Sequence, residues 1–110
     1  MGQYCFLIIL TSVFLFNCSR NESSKFSDSY YKGKQIYIDF CTSCHNIDPF
    51  KAGALAPEVA GTNLEIIRSM VMTGKLPEGI KPKWPDRYMA PLPHLEDKIP
   101  DLHEYLKTFK

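Results

Sequence analysis

Hydrophobic residues gather in four blocks along the chain. The first, residues 5–16, is predominantly apolar and carries no charge. The other three have helical spacing. Over residues 28–40, Tyr30, Gly33, Ile36 or Tyr37, and Phe40 recur every three or four positions, and Ser27 or Asp28 stands ready as the N-cap. A second helix is predicted from Thr62-Asn63-Leu64-Glu65, where Thr and a Glu three residues on form a capping-box pattern. Leu64, Ile67 and Val71 share one face of it, and Gly74 suits a left-handed stop. The third covers residues 97–108, with Asp97 as cap and Pro100 in the first turn, where a missing N–H costs little. Its apolar stripe is Ile99, Leu102, Tyr105 or Leu106, and Phe109. Lys107 and Lys110 stand at its C-terminal end, where cations complement the helix dipole.

Residues 46–61 and 75–96 show neither helical nor two-residue periodicity, and the chain has no internal repeat. Irregular stretches of that length are unusual in a small domain unless they line something. At 110 residues, 45% hydrophobic and 23% charged, the composition excludes a disordered chain and allows one small domain. Eight prolines and six glycines keep its elements short. A core this small usually needs a covalent or ligand staple. With 13 basic against 12 acidic residues there is no electrostatic footprint for nucleic acid.

Residues 1–17 carry no charged side chain, and their apolar run falls short of the roughly 20 residues that span a bilayer. Followed by Asn17-Cys18-Ser19, they read as a secretory signal peptide. Leu15-Phe16-Asn17-Cys18 resembles a bacterial lipoprotein lipobox, which makes Cys18 the expected lipidation site. The alternative is a plain signal peptide or an uncleaved anchor, with Cys18 incidental. Residues 19–27 are polar and serine-rich, as a flexible tether is. The chain thus divides into a signal peptide (1–17), an anchor cysteine with its tether (18–27) and a folded domain (28–110). The expected location is the bacterial periplasm or another extracytoplasmic face, held to a membrane by lipid.

Of the four cysteines, Cys5 falls in the signal segment and Cys18 at its processing site. Cys41 and Cys44 remain, in Cys41-Thr42-Ser43-Cys44-His45, the C-x-x-C-H attachment pattern for haem c. Two thiols three positions apart can each form a thioether to one vinyl group of a single haem, and His45 then stands as the proximal iron ligand. Three other readings compete. A disulfide oxidoreductase needs a βαβ pattern, which is missing here. Structural zinc needs a second close pair of ligands, and His94 and His103 are nine positions apart. An inert disulfide leaves His45 unexplained.

From about Tyr30 to Lys110 the chain resembles a class I cytochrome c. The resemblance rests on Gly33-Lys34-Gln35-Ile36-Tyr37 before the C-x-x-C-H motif and on Pro57-Glu58-Val59-Ala60-Gly61 after it. Met89-Ala90-Pro91 and Leu102-His103-Glu104-Tyr105-Leu106-Lys107 complete it. It implies an all-α fold, three to four short helices and long loops wrapped around one covalently attached haem. It also implies that the Pro57 carbonyl accepts a hydrogen bond from His45, that Met89 is the distal ligand, and that the last helix crosses the first at Gly33, against Leu102 and Tyr105. In the family a proline usually follows the methionine directly, whereas Ala90 intervenes here.

Met89 lies 44 residues after His45 in a proline-rich loop. His94 is the rival sixth ligand, while Met70 and Met72 read as packing or haem-wall residues. The Trp84 indole N–H and the Arg87 guanidinium are apt donors to haem propionates, and Tyr88 beside them belongs to the expected pocket. The bland alternatives are core packing for Trp84 and a solvated charge for Arg87. The expected function is a single-electron carrier, not an enzyme, with redox proteins as partners and no small-molecule substrate. A haem-based sensor, or an accessory electron-transfer subunit of a larger oxidoreductase, is the alternative. Intact-mass analysis of the membrane fraction should find a chain that begins at Cys18 and carries diacyl mass. A free-floating chain, or one that begins elsewhere, contradicts the anchor.

Overall fold

A computed structural model of the protein describes residues 25–110. The signal segment, Cys5 and Cys18 lie outside the described residues. Three α-helices and one 310 helix make up the regular structure, and no strand occurs among the described residues. The class is all-α.

Helix α1 spans Asp28–Phe40. Ser27 caps it, its hydroxyl accepting from the Tyr30 amide at 3.2 Å. Asp28 in the first turn suits the positive end of the dipole. Helix α2 spans Leu64–Thr73 and ends on Gly74 in the left-handed region, φ +69°. Its cap is Asn63, not Thr62 as the capping-box pattern suggested. Asn63 Oδ1 accepts from the Ile66 amide at 2.9 Å, while the Thr62 hydroxyl is taken up by the Val59 carbonyl at 2.6 Å. The third predicted helix divides in two. A 310 helix, Pro93–Lys98, absorbs Asp97, and α3 begins only at Ile99, running to Leu106.

The core sits where α1, α2, the 310 helix and α3 meet, around Tyr37, Ile67, Val71, Leu95, Ile99 and Leu102. Ile99, Leu102, Tyr105 and Leu106 of the α3 stripe are buried as their spacing predicts, and Phe109 beyond the helix end is half-buried against them. Two expected apolar positions are not: Leu64 at the start of α2 and Phe40 at the end of α1 are both exposed. Phe40 turns its ring to the edge of His94, with centroids 5.7 Å apart.

Helices α1 and α3 cross at Gly33. A Cβ there would lie 1.9 Å from the Asp101 carbonyl oxygen and 3.0 Å from Tyr105 Cβ. The Ser29 hydroxyl donates to the Asp101 carboxylate beside the crossing. Tyr105 also meets Tyr30 and Tyr37, with ring centroids 5.3 and 5.5 Å away.

In an exposed helix, Gly to Ala raises stability by up to about 1 kcal/mol. At this crossing the sign should reverse. Gly33→Ala is expected to cost about 2 kcal/mol and to lower the melting temperature by ~10 °C, as overpacking of a tight contact does. Thermal melting followed by far-ultraviolet dichroism tests this, and an unchanged or raised midpoint contradicts the crossing.

Candidate functional site

The C-terminal end of α1 leads straight into the C-x-x-C-H motif. Cys41 is the cap of α1, its amide bonded to the Tyr37 carbonyl at 3.0 Å. The Cys41 carbonyl in turn accepts from the amides of Cys44 (3.2 Å) and His45 (2.9 Å), so the chain winds one further turn. Positions i, i+3 and i+4 of such a turn share a face, which aligns Cys41, Cys44 and His45 on one side. Both cysteines are free thiols, Cys41 half-buried and Cys44 exposed. Burial, and secondarily the neighbouring Cys44, pushes the Cys41 thiol up to about 11.

His45 Nδ1 lies 2.8 Å from the Pro57 carbonyl oxygen. A carbonyl can only accept, so Nδ1 carries a proton, and Nε2 is the ring atom left for a metal. The intervening loop is folded back on the motif by its backbone. The Gly53 amide donates to Ala56 O at 2.8 Å, and a Cβ on Gly53 would meet Cys44 O at 2.1 Å. Two Asx turns shape its start: Asn46 Oδ1 accepts from Asp48 N at 2.9 Å, and Asp48 Oδ1 from Phe50 N at 3.0 Å. The Tyr37 hydroxyl donates to the Asn46 carbonyl, which ties α1 to the residue after His45. Sequence reading missed the parts played by Gly53 and Tyr37. The isolated glycine in an irregular stretch was the available signal for the former.

Met89 is half-buried and packs against the core. Its carbonyl oxygen occupies the space beside Gly74, 2.3 Å from where a Cβ would be, and the Leu92 amide donates to Val71 O at 2.7 Å. The end of α2 thus packs against the Met89 carbonyl and bonds the chain three residues further on.

Two open clefts run along the proline-rich loop before Met89. One, of about 390 Å³, is lined by Ala54, Trp84, Pro85, Asp86 and Arg87. The other, of about 230 Å³, lies between Met70 and Leu76 of the α2 end and Ile80, Pro82, Arg87 and Tyr88 of the loop. Arg87 borders both clefts, and its guanidinium makes no hydrogen bond or ion pair among the described residues. Trp84 is half-buried and stands outside the core, whereas Tyr88 is 94% exposed. The structure therefore groups Cys41, Cys44, His45 and Pro57 at one place and Trp84, Arg87 and Tyr88 at another. Neither cleft is lined by Cys41, Cys44, His45 or Met89.

Lys83 in the proline-rich loop pairs with Glu58 Oε1 at 2.8 Å, next to Pro57. The hydrogen bond from Lys83 is the main cause that holds the Glu58 carboxyl below the usual carboxylate range. His94, the rival ligand, is exposed against Phe40, and His103 is half-buried on α3. Among the described residues no three His, Cys, Asp or Glu side chains cluster as they would to hold a metal ion alone. No family model, curated protein or solved structure matches this chain.

The two thiols should react unequally in chain produced without any covalent attachment. With its thiol at about 11, Cys41 is ionised in roughly one molecule in a thousand at pH 8, and that fraction rises about tenfold per pH unit. Iodoacetamide with peptide mapping is expected to label exposed Cys44 first, with Cys41 catching up only as the pH approaches 11. Equal rates at pH 8 contradict the burial of Cys41.

Proposed function

We propose that this protein is a single-electron carrier with a cytochrome c fold, holding one covalent haem c outside the bacterial cytoplasm. The observation that carries the reading is the 2.8 Å contact of His45 Nδ1 with the Pro57 carbonyl, beside two free thiols on the same face of one helical turn. The donor set suits the group, because the thiols match thioether chemistry and the oriented imidazole offers Nε2. Ile47 and Leu55, in the irregular stretch that follows the motif, are exposed large side chains and suit the wall of a flat apolar ligand.

When bound, the haem supplies a one-electron Fe(III)/Fe(II) couple whose potential depends on its two axial ligands. Cys41 and Cys44 would attach the ring, with His45 and Met89 as the axial ligands. By accepting the Nδ1 proton's hydrogen bond, Pro57 fixes the His45 ring and strengthens Nε2 as a donor. Gly74 lies against the Met89 carbonyl and Val71 O bonds the Leu92 amide, so the backbone at and after Met89 gives the thioether a fixed support. Trp84 and Arg87 are the donors for propionates, the Arg87 guanidinium having no other partner among the described residues. Tyr88 belongs to the rim of the pocket.

With His45 and Met89 both holding the group, no position would remain for a substrate, so the reading is a carrier and not an enzyme, and its partners are redox proteins. A lipid on Cys18 and the tether of residues 19–27 keep the domain at a membrane while it swings between them.

The experiment is an absorption spectrum of the membrane-expressed protein, with a pyridine haemochrome and the Met89→Ala variant alongside. A c-type haemochrome and a far-red ferric band that disappears in the variant are expected. A band that survives rejects Met89, and the absence of covalent haem rejects the carrier.

A further inference from the structure

The proline-rich loop of residues 75–88 leaves α2 at Gly74 and returns to it. At its start the Ser69 hydroxyl donates to the Lys75 carbonyl at 2.6 Å, and at its end the Met89 carbonyl fills the space beside Gly74. Inside it, Ile80 N bonds to Pro77 O and Arg87 N to Trp84 O, each at 3.2 Å, and neither bond leaves the loop. One residue ties the middle of the loop by hydrogen bonds to the other described residues. Lys83 Nζ donates to Glu58 Oε1 at 2.8 Å and to the Glu58 backbone carbonyl at 3.2 Å.

This pair differs from the other ion pairs among the described residues. Those join side chains three or four positions apart, whereas Lys83 and Glu58 are separated by 25. A cation held by both the carboxylate and the carbonyl of one residue fixes that residue's side chain and backbone together. Glu58 directly follows Pro57, so the backbone that Lys83 fixes adjoins the carbonyl bonded to His45.

We propose that Lys83 and Glu58 form a clasp that holds the Met89 loop against the His45 loop and so closes the sixth iron position to outside ligands. The proposal rests on the haem reading above. Pro77, Pro82 and Pro85 each lock φ, so a displacement at Lys83 passes along the loop instead of being absorbed locally. With the clasp made, the loop that ends at Met89 stays against the His45 loop, and Met89 would remain in place as a ligand. With it broken, the loop swings about Gly74 and a small nitrogen donor gains entry.

The test uses the mature haem protein with Lys83→Glu, Glu58→Lys and the double exchange. Imidazole is titrated into the ferric form, and amide hydrogen exchange is followed at Val59, Ala60 and residues 84–88. Each single variant loses an attraction and gains a repulsion, so imidazole should bind about two- to fivefold more tightly, with faster exchange in both loops. The double exchange restores the ion pair but not the bond to the residue-58 carbonyl, which only a donor at position 83 can make, so both readouts should recover in part from the single-variant values. A loss of stability alone does not produce that recovery. Single variants with unchanged imidazole affinity, or a double exchange with no recovery relative to either of them, overturn the clasp and leave the carrier standing. A protein without a c-type haemochrome overturns the carrier and the guarding role together.

Discussion

Gly33 lets the backbone of α1 touch that of α3, and the position of everything after α1 depends on that contact. Any side chain at this point would have to displace the Asp101 carbonyl, so the two helices meet at a separation only glycine permits. One turn further on, Tyr37 is 1% exposed, and its hydroxyl reaches the Asn46 carbonyl. The crossing thereby fixes both ends of the C-x-x-C-H turn: Cys41 through the last turn of α1, and the residue after His45 through Tyr37. A small core of helices is enough to aim a long irregular chain, provided that its first helix cannot rotate.

Beyond that turn, backbone carbonyls organise the site more than side chains do. Pro57 O orients His45, Cys44 O receives the Gly53 approach, and Met89 O sits in the space that Gly74 leaves. Regular helices satisfy their carbonyls internally. Loops have carbonyls to spare, and here several of them position neighbouring groups. This gives the long stretches between α1 and α2, and between α2 and the 310 helix, a physical role without regular structure.

Much of this was legible in the sequence wherever the determinants were local. Ser27 and the spacing of Gly33, Ile36 and Tyr37 predicted α1 to the residue, because a cap and an apolar face are both read within one or two turns. The α2 cap was misread by one residue, since Thr62 and Asn63 both favour that role and only the Val59 carbonyl decides between them. The 310 helix escaped notice because a tightened turn before a proline-bearing helix has no periodicity of its own. The contact of His45 with Pro57 came from resemblance, not from any pattern in the residues. Lys83 and Glu58 were legible only as two charges among many, because nothing in either neighbourhood announces a partner 25 positions away.

The loop that starts and finishes at Gly74 has a consequence for how such a chain can change. Because its ends already meet, lengthening it costs little closure entropy, about 0.6 kcal/mol for each doubling. Residues between Lys75 and Tyr88 are therefore a cassette that can be lengthened or rewritten while the methionine's backbone stays anchored to α2. Such rewriting would act first at Lys83, so the support of Met89 and the tie to Glu58 can change separately on one short stretch of sequence.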